Sequence, residues 1–265
     1  MTRFFGLNRL LFSAVLFVFV AASAEAGSVV LVGSDTVNAF TNRIQGMYNR
    51  VANGATQAGT PYSAIGVYNT NHVNPTLAQL QQYDTALVWA ATSQIDAVTL
   101  GNTLADYVDG GGNVVMMMNF GFYAPGGRWA TGGYDPLIST GYTLFGQSID
   151  PTFNPSNPLL AGVTTLNAEY KMIGTTRDGA VVHASFLAGA ASATPLLVET
   201  TAFNGRVRNL NFYAAEPLLP NTNGDIDRLI YNAINVGMAP AAVPEPSSIL
   251  IYSLGAACLW ARRKK

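Results

Sequence analysis

Apolar residues along this chain of 265 residues follow two alternating patterns, short unbroken runs and longer stretches at helical spacing. Residues 29–32 are a continuous apolar run, which is typical of a strand with both faces buried. The segment from Val37 to Val51 carries apolar side chains on one helical face, and Ser34 or Asp35 is placed to cap that helix. Because the two patterns keep alternating, the sequence predicts an α/β fold with a mostly parallel sheet.

The middle of the chain interrupts this regularity. Residues 120–135 form a loop rich in glycine and aromatic residues, and Asn204-Gly205 predicts a hairpin turn between two late strands. The other predicted elements are strands at residues 62–68, 85–90, 114–118, 180–183, 195–199 and 207–212, and helices at 76–82, around 100–108 and at 226–235.

The N-terminus has the pattern of a signal peptide. Arg3 and Arg9 precede an apolar run at residues 10–22, and Ala24-Glu25-Ala26 follows with the small residues that signal peptidase recognises. Cleavage before Gly27 is therefore predicted, with signal peptidase as a partner. The alternative is a retained N-terminal anchor, for which the run is short.

The C-terminus combines a Pro-rich motif, an apolar stretch at residues 247–261 and a basic tail. This order resembles the PEP-CTERM sorting signal, which implies recognition by an exosortase and residence in a bacterium that makes exopolysaccharide. A helix of this stretch is about 22 Å long and falls short of a bilayer core of about 30 Å, although snorkelling of Arg262 and Arg263 would cover part of the deficit. The alternative is a plain tail anchor that follows an incidental Pro-rich linker. The sorting motif is Val243, Pro244, Glu245 and Pro246, and the basic tail, expected in the cytoplasm, is Arg262, Arg263, Lys264 and Lys265.

These two ends divide the chain into a signal peptide (1–26), one domain (27–238), a linker with the PEP motif (239–246), a transmembrane helix (247–261) and a basic cytoplasmic tail (262–265). The domain has eight cationic and 13 acidic side chains, which disfavours nucleic acid as a partner. The only cysteine, Cys258, lies outside the domain, so a thiolate nucleophile is excluded there. His72 and His183 are isolated, and neither a metal site nor a cofactor is expected.

Four segments of the domain are similar to the class I glutamine amidotransferase-like superfamily. The resemblance implies a three-layer flavodoxin-like sandwich with a mostly parallel sheet. It also implies a catalytic Cys where this chain has Asn119 and a catalytic His near Tyr213, so both catalytic side chains are replaced and amidotransferase activity is disfavoured. The segments are LADYVDGGGNVV at 104–115, NPLLAGV at 157–163, TPLLVE at 194–199 and GRVRNLNF at 205–212.

Candidate ligand-binding residues fall at strand ends and in the aromatic loop. Ser34, Asp35 and Asn119 follow predicted parallel strands, where α/β folds bind ligands. Arg128 and Trp129 offer a guanidinium for a carboxylate and a ring for stacking on a sugar. The alternatives are helix capping for the first two residues and a loop that buries its own rings for the last two.

The leading functional hypothesis is an exported envelope or extracellular-matrix protein with a non-catalytic binding or structural role. It would be held in the inner membrane by its C-terminal helix and reach the cell surface or the medium after processing, with exopolysaccharide as a possible ligand. The alternative is a carbohydrate-active or other hydrolase that uses carboxylates near the aromatic loop, and the candidates are Asp135, Glu169, Glu199 and Glu216. Enzymatic activity is left open by the residues.

Overall fold

The computed structural model describes residues 27–118, 123–143, 147–148, 154, 156–186, 194–215 and 222–237. The predicted signal peptide, linker, transmembrane helix and basic tail lie outside these residues, as does Asn119. Recognition by signal peptidase and exosortase therefore stays a prediction.

A seven-stranded sheet forms the centre of the molecule. In spatial order its strands are β2 (Ala64–Asn69), β1 (Ser28–Ser34), β3 (Thr85–Ala90), β4 (Asn113–Met117), β11 (Val207–Leu210), β10 (Pro195–Thr200) and β9 (Val181–Ser185). The first five strands are parallel, β10 is antiparallel to β11, and β9 is antiparallel to β10. The prediction of an α/β fold with a mostly parallel sheet is confirmed.

Helices cover both faces of this sheet, which explains the unbroken apolar runs. In β1, Val29 and Leu31 pack in one core, whereas Val30 and Val32 pack in the other. Successive strand residues point to opposite faces, so a strand that is covered on both sides must be apolar throughout. The first core includes α1 (Val37–Ala58) and α5 (Ile226–Asn235), and the second includes α2 (Leu77–Leu80), α3 (Ala97–Asp109) and α4 (Gly127–Thr131).

Short strands after α4 form two smaller sheets that the sequence did not predict. A two-stranded ribbon pairs β5 (Leu137–Thr143) with β8 (Lys171–Thr176). A three-stranded sheet pairs β6 (Gln147–Ser148), β7 (Leu166–Ala168) and β12 (Asn223–Gly224). The β5–β8 ribbon also contacts β10, so it lies near the antiparallel edge of the main sheet.

Helix capping differs from the sequence prediction at α1. Its N-cap is Thr36, which makes no capping hydrogen bond through its side chain, while Ser34 is the last residue of β1. Neither Ser34 nor Asp35 caps the helix. In contrast, Thr76 forms a capping box with Gln79 at the start of α2.

Candidate functional site

The predicted strand-end residues are buried and bonded to neighbouring loops. The Ser34 hydroxyl donates to the carbonyl groups of Thr92 (2.7 Å) and Ser93 (2.9 Å). The side chain of Asp35 is buried, and its Oδ1 lies 2.9 Å from Nη1 of Arg43. These contacts tie the end of β1 to the loop after β3 and to α1.

The described part of the predicted aromatic loop, residues 123–135, contains α4 and packs against α3, so this segment is not the irregular loop that the sequence predicts. Trp129 is buried in the second core, and its ring stacks on that of Tyr134. The Arg128 guanidinium does hold carboxylates, but they are Asp106 and Asp109 of α3. Ser34 and Asp35 are therefore in a different place from Arg128 and Trp129, and the structure does not bring these four residues together into one site.

Glu199 is the centre of an ion cluster at the end of β10. Its carboxylate lies 2.9 Å from Arg206, 3.2 Å from Arg208 and 2.9 Å from Nε2 of His183. Burial raises the pKa of Glu199, but the hydrogen bond from His183 and the charges of the two arginines outweigh this effect and hold it at about 2. A carboxylate so firmly ionised and paired acts as a structural counter-ion for the buried Arg208.

Asp135 faces the opposite side of the sheet from Glu199. Glu199 pairs across the strands with Arg208, whereas Asp135 accepts a hydrogen bond of 2.8 Å from Asn209, the next residue of β11. Adjacent strand residues point to opposite faces. Asp135 and Glu199 therefore do not form the carboxylate pair that the hydrolase alternative requires, and Glu216 lies outside the described residues.

The carboxyl group of Asp135 is in an unusual environment. Its Oδ1 accepts hydrogen bonds from the backbone N–H of Leu137 (3.0 Å) and from Nδ2 of Asn209 (2.8 Å). Burial raises the pKa of this carboxyl to about 6, against the opposing effects of these two hydrogen bonds and of the nearby charge of Arg177. The group can therefore take up or release a proton close to neutral pH.

A cavity of about 230 Å³ lies next to this carboxyl, between α4 and the β5–β8 ribbon. Its lining includes Trp129, Asp135, Met172 and Arg177. A second cavity of about 530 Å³ shares Arg177 with it and extends toward Phe203. We call the two together the α4–ribbon pocket.

Two members of this site were missed by sequence reasoning. Asn209 is fully buried on β11, which reads Val-Arg-Asn-Leu, and two adjacent polar residues inside a predicted internal strand were a usable signal. Arg177 lies in the turn after β8 and had no such signal, because β8 itself was not predicted. Asp135 was named only as one of several scattered carboxylates.

Solved structures share this fold at low sequence identity. No protein-family model and no curated protein matches the chain. A ThuA-like protein from Bacteroides uniformis ATCC 8492 aligns over 81% of this chain and 93% of its own, with 10% identity and a TM-score of 0.55. A cytoplasmic protein from Salmonella typhimurium LT2 aligns over 78% and 97%, with 12% identity and a TM-score of 0.50.

A third similar structure is a GH42 beta-galactosidase from G. stearothermophilus, with 13% identity and a TM-score of 0.52. The alignment covers 78% of this chain but 29% of the galactosidase, so the shared fold is a minor part of that enzyme. At these identities the likeness establishes the fold alone.

These comparisons correct the predicted role as an exported, non-catalytic envelope or matrix protein. The fold occurs in ThuA-like proteins and within a glycosidase. Its apolar residues form two cores beneath helices, an arrangement that is not particular to a matrix component. The hypothesis inferred the role of the domain from the sorting motif at its C-terminus, and the fold of the domain does not support that inference.

The predicted location at the inner membrane and then the cell surface is corrected as well. One of the solved proteins with this fold is named as cytoplasmic. Within the part of the chain that the structure describes, no helix is both long and apolar enough to cross a membrane.

Proposed function

We propose that this chain is a flavodoxin-like domain that binds a small polar molecule in the α4–ribbon pocket, with Asp135 as the group that exchanges a proton with it. The strand order β2-β1-β3-β4-β11 supports the flavodoxin-like assignment, because it follows the doubly wound order 2-1-3-4-5. The resemblance of residues 104–115 to the amidotransferase-like superfamily agrees with it.

The observation that carries this proposal is a desolvated carboxyl with a pKa of about 6 that lines a cavity. A buried carboxylate is costly, and such perturbed groups concentrate at functional sites. Within the described residues, both hydrogen bonds to the Asp135 carboxyl are made to Oδ1. Oδ2 is then the oxygen that bonds to a ligand.

A second polar group in the pocket supports the same site. The indole N–H of Trp129 is buried and has no acceptor among the described residues, although Trp129 lines the cavity beside Asp135. An unsatisfied buried donor costs about 1–3 kcal/mol. A ligand with an acceptor atom would satisfy this donor and recover part of that free energy.

The strand ends are a weaker candidate in this molecule. Ligands of doubly wound folds bind there as a rule. Here the Ser34 hydroxyl and the Asp35 carboxylate are already engaged by loop carbonyl groups and by Arg43. The α4–ribbon pocket instead offers groups that have hydrogen-bonding capacity left.

The test is ligand titration of the full-length chain followed through the indole N–H signal of Trp129 in ¹⁵N NMR spectra. The chain has three tryptophans, and Trp129→Phe identifies the signal. We expect at least one member of a panel of polyols, monocarboxylates and amino acids to shift it saturably, and Asp135→Asn to weaken that response. Asp227→Asn, on α5 and outside the lining of both cavities, is the control. A signal that none of these compounds moves would contradict the proposal.

A further inference from the structure

Arg177 lines both cavities, and its position is fixed by two hydrogen bonds. Its Nε donates to the backbone carbonyl of Asp135 (2.8 Å), and its backbone N–H donates to the carbonyl of Pro136 (3.0 Å). The guanidinium lies over the backbone of Gly133, where a side-chain carbon would be 3.6 Å from Nε and Cζ. Gly133 has a φ of 73°, so this residue is also constrained to glycine by its backbone.

The two terminal nitrogens of Arg177 have no acceptor among the described residues. Most arginines of the domain differ from Arg177, because their guanidinium groups contact a carboxylate. Among the described residues, Arg228 also lacks a carboxylate partner, but it donates to the carbonyl of Ala161 and lies over the ring of Tyr231. The five arginines that do contact a carboxylate are Arg43, Arg50, Arg128, Arg206 and Arg208.

We infer that the α4–ribbon pocket takes a small molecule with a single carboxylate group, which Arg177 binds through its two terminal nitrogens. The inference rests on the proposed function and names its ligand class. A guanidinium presents parallel N–H donors in a planar fork, which matches the two oxygens of a carboxylate. Because Nε is already used by the protein, the outer edge of the fork is the part that faces the ligand.

The charges around the pocket disfavour a multiply charged anion more than a singly charged one. Asp178 lines the larger cavity together with Arg177, and Asp135 lines the smaller one. One cation facing two acidic side chains does not compensate an ion such as phosphate, which carries a charge of about −1.5 to −2 at neutral pH. A monocarboxylate balances Arg177, and the remainder of the ligand lies against apolar groups such as Ile138 and Phe203.

Ligand binding and protonation are coupled in this arrangement. The positive charge of Arg177 lowers the pKa of Asp135, in opposition to the larger effect of burial. A carboxylate bound to Arg177 neutralises that charge, so the pKa of Asp135 rises further when the ligand binds. Binding therefore takes up a proton, and it is tighter at pH 6 than at pH 8.

The experiment titrates the full-length chain with sodium propionate, inorganic phosphate and glycerol and follows the Trp129 indole signal and the Arg177 Nε–H signal. We expect propionate to shift both saturably and to bind more tightly than phosphate or glycerol. Arg177→Met should weaken propionate binding by about tenfold to hundredfold, as expected for the loss of hydrogen bonds between charged groups. Arg228→Met, at the other arginine without a carboxylate partner, should bind as the wild type does.

Arg177→Lys keeps the charge but loses the fork, and it provides a second variant if the methionine variant does not fold. We expect its affinity for propionate to fall between those of the wild type and Arg177→Met. Equal affinity in the wild type and in the folded variants would overturn the inference. So would a saturable response to glycerol or phosphate that equals or exceeds the response to propionate, although the proposed pocket would stand. If all three probes and the wider panel leave the Trp129 signal unmoved, the proposed function falls with it.

Discussion

Replacing Asp135 by asparagine should stabilise the protein at neutral pH. The substitution keeps an oxygen acceptor for the hydrogen bonds from Leu137 and Asn209, but it removes a charge that is costly to bury. A pKa of about 6 in place of 3.8 corresponds to about 3 kcal/mol between the ionised and neutral carboxyl. The variant should therefore be up to about 3 kcal/mol more stable than the wild type at pH 7.5.

The stability advantage of Asp135→Asn over the wild type should increase with rising pH. Because the pKa of Asp135 is higher in the folded than in the unfolded chain, the folded state binds this proton more tightly. Ionisation of Asp135 therefore lowers the free energy of unfolding of the wild type progressively as the pH rises from about 4 through 6, and the whole of this loss is present above that range. At and below pH 4 the carboxyl is protonated in both states, so the variant should have no advantage there.

The assay is thermal or urea unfolding of both proteins at pH 4, 6 and 7.5. For a domain of this size, 3 kcal/mol corresponds to an increase in Tm of about 6–12 °C. Asp178→Asn serves as the control, because Asp178 is exposed on the nearby turn. An Asp135→Asn variant that is less stable than the wild type at pH 7.5, or that is stabilised equally at pH 4, would refute the reasoning.

Two further predictions concern the scaffold. Glu199→Gln should lower the free energy of unfolding by about 3–5 kcal/mol at neutral pH, because the charge of the buried Arg208 loses its counter-ion. The pKa of Glu199 in the folded chain is about 2, so in the wild type the same stabilisation should disappear as the pH falls from about 4.5 toward 2. Urea unfolding measures both effects. Gly101→Ala should cost about 1–3 kcal/mol, because the new methyl group would overlap the carbonyl of Gly126. Gly141→Ala should be close to neutral, because apart from its chain neighbours no atom of the described residues lies within 4 Å of the new methyl group. Equal stabilities of the two variants in urea unfolding would contradict this packing argument.

The sheet was predictable because its strands are buried on both faces. Residues 85–90 were predicted as a strand with the bounds that β3 has, and every residue in it is buried. The β5–β8 ribbon was not predictable in the same way. Ile138 and Ile173 are exposed on it and glycines interrupt both strands, so neither a continuous nor a cleanly alternating apolar pattern exists.

The site was less predictable than the fold because it joins residues that are distant in sequence. The hydrogen bond between Asp135 and Asn209 connects positions 74 residues apart. Sequence reasoning placed function on Arg128 and Trp129 because their side chains suit ligands. Arg128 instead pairs with carboxylates of α3. Trp129 does line the α4–ribbon pocket, but the ionisable groups of the proposed site are Asp135 and Arg177.

The titration of the Asp135 carboxyl is the most direct test of the central claim, that this partly buried carboxyl forms a proton-exchanging binding site. It can be followed by ¹³C NMR in the full-length chain, with the signal assigned by its absence in Asp135→Asn. The account predicts a midpoint near pH 6 that moves upward when propionate is added. A midpoint near the ordinary value of 3.8, unchanged by propionate, would contradict it.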